Sequence, residues 1–212
     1  MSFHQVAEMI LEREKVYDFV LRSIHAWNAL VVVLLLLVGR VAEWLGYTPD
    51  AASLWHFHVL LGYGLVLGLV ARITWGLVGP AHAGFAALWQ PRAWWRMLRV
   101  REPSSALPEW GPRVAAAALY LVFYLVLITM AVTGLALAAI DQGSGPLYLW
   151  LGHEVTLKHL FREPHAWMAH AVLAFVIVHI ALLILHEIRH GVPLAQAMVS
   201  GFQYRKVEQE EE

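Results

Sequence analysis

Four long apolar stretches decide what this chain can become. A bilayer core takes a helix of roughly 20 mostly apolar residues. The stretches at about 23–45, 54–78, 114–140 and 165–188 each reach that length, and residues 114–140 carry no charge at all. Each is far too long for a globular strand, so β-branched runs such as VVV are read as helix. Only 15% of residues are charged, against about a quarter in soluble domains. The expected fold is an all-α membrane protein, a four-transmembrane-helix bundle.

Charge placement sets the expected topology. Residues 1–22 are rich in charge, including Glu8, Glu12, Arg13, Glu14, Lys15, Asp18 and Arg22. That is unlike a cleavable signal peptide, so the first stretch is expected to stay as an uncleaved membrane helix. Twelve of the fifteen Lys and Arg fall in the N-terminal segment, the loop after the second stretch and the C-terminus; Arg40, Lys158 and Arg162 fall on the other side. The excess marks the cytoplasmic side, so both termini are expected there. In LWQPRAWWRMLRVREP, helical spacing puts Arg92, Arg96 and Arg99 on one face and Trp94, Met97 and Leu98 opposite. This predicts an interfacial amphipathic helix between the second and third spans. The outer loop 141–164 is longer than a connection needs and is a candidate capping or docking segment. Residues 1–207 are read as one membrane domain and 208–212 as a disordered acidic tail.

The polar inventory excludes several chemistries. With no Cys there is no disulfide framework, thiolate zinc site or cysteine-ligated cluster. A net charge of -1 gives no bulk electrostatic reason to bind nucleic acid. The sequence holds no H-E-x-x-H motif and no phosphate loop. Twelve His remain to be explained, and an ionisable side chain inside a span is a functional candidate. On an ideal helix His165 and His179 stand about 21 Å apart in depth and only about 40° apart in azimuth. Partners at matching depths are His58 for His165, on the outer side, and His25 for His179, on the inner side. Two imidazoles facing each other across a bundle, twice, suit iron of haem held on both faces, the six-coordinate arrangement of electron transfer. Gly62, Gly64 and Gly68 would make room for the macrocycle. Arg22 and Arg72, at the cytoplasmic helix ends, are candidates for its propionates or for snorkelling to the interface. His56 points about 160° from His58 and is read as interfacial. His170 is read as a polar contact, and His186 is the substitute for the inner pair. His153 and His159 are read as solvated loop residues.

The same residues carry a family resemblance. VYDFVLRSIHAW, HVLLGYGLVLGLVARITWGLVG with its R-x-x-W-G-x-x-G, and EPHAWMAHAVLAFVIVHIALLILHEIRHG with two His fourteen residues apart resemble the bacterial cytochrome b561 and nickel–iron hydrogenase b-type cytochrome group. The resemblance covers about Lys15 to Lys206. It implies a bacterial inner-membrane cytochrome with two b haems, ligated by the pairs His25/His179 and His58/His165. It also implies a redox partner subunit (hydrogenase-like, another dehydrogenase or a c-type cytochrome) at the outer face, exchange with the quinone pool, and compatibility with an oligomer. The alternative it leaves is a stand-alone b561-type oxidoreductase acting on quinone or superoxide. A non-redox transporter using the His as a relay is a third reading. Two motifs depart from the group: Ala26 separates His25 from Trp27, and EWGPR precedes the third span in place of Gly-His-Asn-Pro.

Overall fold

The computed structural model describes residues 11–85, 92, 95, 110–191 and 193–206. Four long helices dominate: α1 (Phe19–Leu45), α2 (Pro49–Val78), α3 (Trp110–Gln142) and α5 (Lys158–His190). A short α4 (Tyr148–Leu151) lies in the outer loop, and α6 (Gln196–Ser200) follows α5. All four long helices are long and apolar enough to cross a membrane, and the chain is a multi-pass membrane protein. The amphipathic helix expected around 87–102 lies outside the described residues except for Arg92 and Trp95, both helical; the tail 208–212 lies outside them too.

Local chemistry sets the helix ends. Asp18 caps α1, its Oδ1 accepting from the Leu21 N–H at 2.9 Å. Thr48 caps α2, with Pro49 in the first turn, where its missing N–H costs nothing. Gly46 and Gly191 close α1 and α5 with positive φ, a conformation that glycine adopts without a Cβ clash. The helix that carries the fourth span, expected from about 165, begins earlier, at Lys158, and Pro164 lies inside it. A proline removes one backbone bond, a loss that a membrane helix absorbs through its neighbours.

A two-stranded antiparallel ribbon was not expected in an all-α chain. It joins β1 (Leu11–Lys15) to β2 (Phe202–Lys206), with Leu11 opposite Lys206 and Lys15 opposite Phe202. The Arg13 guanidinium lies 3.6 Å from the centre of the Phe202 ring. Next to the ribbon, the Val16 and Tyr17 N–H groups both donate to the Gly201 carbonyl, and Arg22 donates to the Val199 carbonyl. The C-terminal segment is thereby fastened to the start of α1.

Inside the bundle, α1 lies along α2 and α3 lies along α5, whereas α5 stands off from α1 and α2. The α1–α2 seam is tied by polar bonds: Trp27 Nε1 donates to the Gly64 carbonyl at 2.9 Å and Asn28 Nδ2 to the Gly68 carbonyl at 3.2 Å. The central core is Val31, Val32, Leu35, Leu65, Leu69, Leu127 and Val172. Val32, Leu65 and Val172 each lie seven residues beyond His25, His58 and His165, so the core sits between the two histidine levels. The outward faces remain apolar: Leu37, Leu67, Val132 and Ile177 each expose more than half their surface. In water that would be costly; against lipid tails it is the solvated state.

Candidate functional site

At the outer level, the His58 and His165 ring centres are 6.4 Å apart, with the planes at 75°. They come from α2 and α5, and each is seated against a glycine of a third or fourth helix. A Cβ at Gly39 of α1 would lie 3.3 Å from His58 Cε1 and 3.4 Å from its Nδ1. A Cβ at Gly134 of α3 would lie 3.1 Å from His165 Cε1 and 3.7 Å from its Nδ1. Both imidazoles thus turn the Nδ1–Cε1 edge toward helix backbone. His165 Nδ1 lies 2.9 Å from Thr133 Oγ1, while His58 Nδ1 is buried without a well-formed hydrogen bond among the described residues, the Leu35 carbonyl being a looser contact of the ring. Trp55 closes over His58 edge-on at 5.5 Å.

At the inner level stand His25 of α1 and His179 of α5. Phe175, one turn above His179, stacks parallel to it at 5.7 Å and on Phe123 of α3 at 3.6 Å. Tyr120 meets His179 edge-on at 6.4 Å. Arg72 lies fourteen residues beyond His58 on α2, hence about 21 Å deeper on nearly the same face. Its guanidinium sits 4.5 Å from the Phe85 ring centre and 5.8 Å from that of Tyr124. Its Nη1 is buried without a hydrogen-bond partner among the described residues. Arg22, by contrast, is engaged by the carbonyls of Val199 and Asp18.

Four other histidines have ordinary partners. His170 Nδ1 donates to the Ala166 carbonyl at 2.9 Å, and its Nε2 accepts from Arg40 at 2.9 Å. His56 bonds Gln142, and His159 donates to the Thr156 carbonyl. His82 Nε2 lies 2.8 Å from Asp18 Oδ2, which Trp75 Nε1 also reaches at 3.3 Å. Partial burial pushes the Asp18 carboxyl up, but bonds from the Leu21 N–H, His82 and Trp75 outweigh it and hold the group down at about 2.

Two glycines expected to make room for a macrocycle serve the helix seam instead. A Cβ at Gly64 would touch Trp27 at 3.4 Å, and one at Gly68 would overlap Asn28. Gly62 does face open space. Gly39, Gly134 and Thr133, which adjoin the imidazoles, carry no signal in the sequence alone, because their role depends on which helix faces which.

Among the described residues there is no group of three or more His, Cys, Asp or Glu able to hold a metal ion. Paired imidazoles alone fall short of the four ligands of a structural zinc site, whereas a haem iron takes its protein ligands one or two at a time. A lipid-embedded bundle offering imidazoles in pairs between helices is the architecture of a membrane cytochrome.

Comparison with known proteins gives the family. The family described as Prokaryotic cytochrome b561 matches residues 16–201, and the chain belongs to it. It is therefore a b-type cytochrome, a membrane electron-transfer protein. It is 26% identical to a "Probable Ni/Fe-hydrogenase B-type cytochrome subunit" of Rhizobium leguminosarum bv. viciae, covering 92% of this chain and 91% of that protein. Identity is 27% to a protein of the same description from Azotobacter vinelandii, over 90% of this chain and 88% of the relative. "Cytochrome b561 homolog 2" of Escherichia coli (strain K12) is 22% identical over 81% of this chain and 84% of its own length. No solved structure matches.

Proposed function

We propose that this chain is the membrane subunit of a hydrogenase-type complex. It would hold two b haems and relay electrons between a redox partner at the outer face and the quinone pool. His58 and His165 would hold the outer haem, and His25 and His179 the inner one. The observation that carries the reading is the 6.4 Å between the His58 and His165 ring centres. An imidazole nitrogen ligates a transition metal at about 2 Å, so two rings this close would leave room for one metal ion between them. The glycine seats at Gly39 and Gly134 direct the Nδ1 edges outward to backbone and leave Nε2 of each ring for the metal.

When bound, the haems supply reversible one-electron oxidation and reduction of iron. The chain's own residues do the rest. The four His would hold the haem iron, the lipid-facing apolar surface excludes water, and Trp55, Phe175 and Tyr120 wall the imidazoles. Arg72, with an unsatisfied Nη1 at the inner level, suits a propionate carboxylate; Arg22, already bonded, is better read as a tether. The distribution of Lys and Arg supports an inner-membrane location with both termini in the cytoplasm.

The likeness to a protein described as a cytochrome b561 homolog favours a second reading that the family resemblance also leaves, a stand-alone oxidoreductase acting on quinone or superoxide. The test is haem-to-protein stoichiometry on the purified membrane assembly, with co-purifying subunits identified. Two haems per chain and a soluble redox subunit are expected. Two haems on a lone chain with quinone activity would favour the second reading, and a colourless chain would overturn both.

A further inference from the structure

The four proposed ligands differ in what holds their outward nitrogen. His165 is the one of the four with a side-chain hydrogen-bond partner among the described residues, Thr133 Oγ1 at 2.9 Å. Thr133 is the buried polar residue of the described core, and its hydroxyl has a single proton to give. That proton goes to the helix carbonyl of Thr129, at 2.7 Å its shortest contact, with the Met130 carbonyl a longer second acceptor at 3.2 Å. With its proton spent on the backbone, Oγ1 faces His165 Nδ1 as an acceptor. Nδ1 must then carry the ring proton, and Nε2 is left with its lone pair. This back-bonding habit of Thr in helices becomes a device for fixing a tautomer.

Resting on the haem reading above, we infer that Thr133, seated beside Gly134, is a positioning residue that fixes the metal-binding tautomer and ring orientation of His165. A ligand imidazole that donates its other N–H is a more basic ligand, and a more basic ligand favours the ferric over the ferrous state. Thr133 therefore lowers the midpoint potential of the outer haem. Among the described residues the inner pair has no side-chain hydrogen-bond partner of this kind: His179 is bordered by the rings of Phe175 and Tyr120.

The experiment is a redox titration of the α-band, with low-spin EPR of the oxidised form, on the purified full-length protein. The variants are Thr133→Val, Thr133→Ser and His165→Ala. Thr133→Val should keep both haems and move one midpoint to a more positive value with an altered EPR signal, leaving the other haem where it was. Thr133→Ser, which keeps the hydroxyl, should restore the wild-type values. If Val leaves both midpoints and signals unchanged, shifts both haems equally, or is matched by Ser, the inference fails. Should Val not accumulate, Thr133→Ala carries the same expectation against Ser. His165→Ala separates the two levels of the argument. Loss of one haem there keeps the ligand assignment whatever Thr133 does, whereas retention of both overturns the assignment and this inference with it.

Discussion

Asp18 is where α1, the end of α2 and the turn carrying His82 are held together, and replacing it by Asn isolates what its charge contributes. Asn caps a helix about as well as Asp, so the bond from the Leu21 N–H is retained. The loss falls on the charge-assisted bonds from His82 at 2.8 Å and Trp75 at 3.3 Å. The carboxyl is held at about 2 in the folded chain against 3.8 for the unperturbed group. At about 1.4 kcal/mol per pKa unit, that is worth about 2 kcal/mol at neutral pH. The sign follows from proton binding. The unfolded chain takes up the proton first as pH falls, so the contribution is complete well above 3.8 and is lost as pH drops through about 2. By the same linkage about half survives at pH 3. Thermal unfolding in detergent micelles, followed by circular dichroism at pH 7 and pH 3, is the assay. Asp18→Asn should melt several degrees below the wild type at pH 7, and the gap should narrow by about half at pH 3. Equal melting at pH 7, or a gap that ignores pH, would show that Asp18 acts only as a cap.

Four further perturbations separate structure from cofactor. His170→Leu breaks the Arg40 bond between α1 and α5 and should leave haem content intact, whereas His179→Ala should remove one haem of two, both read from pyridine-haemochrome spectra. Gly68→Leu drives a side chain into Asn28 and should split the α1–α2 seam, seen as loss of folded protein in size-exclusion profiles; a wild-type yield would refute that packing. Trp27→Phe deletes the bond to the Gly64 carbonyl and should cost about 1 kcal/mol in a detergent unfolding titration, with both haems kept.

The features legible in the sequence were those encoded along single helices. Apolar length gave the four spans, and the fourteen-residue spacing of His165 and His179 put two imidazoles on one face at two depths. The pairing across helices could be anticipated only by matching depth. Which backbone would seat each ring could not: Gly39 and Gly134 look like any glycine in a span. Gly64 and Gly68 showed the reverse, small residues near a proposed ligand that are consumed by Trp27 and Asn28. The ribbon was hidden because Leu11–Lys15 has no neighbour in sequence to pair with; its partner lies at the far end of the chain. The early start of α5 was hidden because residues 158–164 are too polar to count as span and Pro164 interrupts the helical pattern there.

The hydrocarbon layer formed by Val32, Leu65, Leu127 and Val172 between the two histidine levels has a consequence for charge. Proton relays through membrane proteins run along ionisable side chains, and the described core holds none at that depth. The layer insulates one histidine level from the other against ions. On the two-haem reading proposed above, any proton taken up or released at one level would be traded with the aqueous phase on its own side.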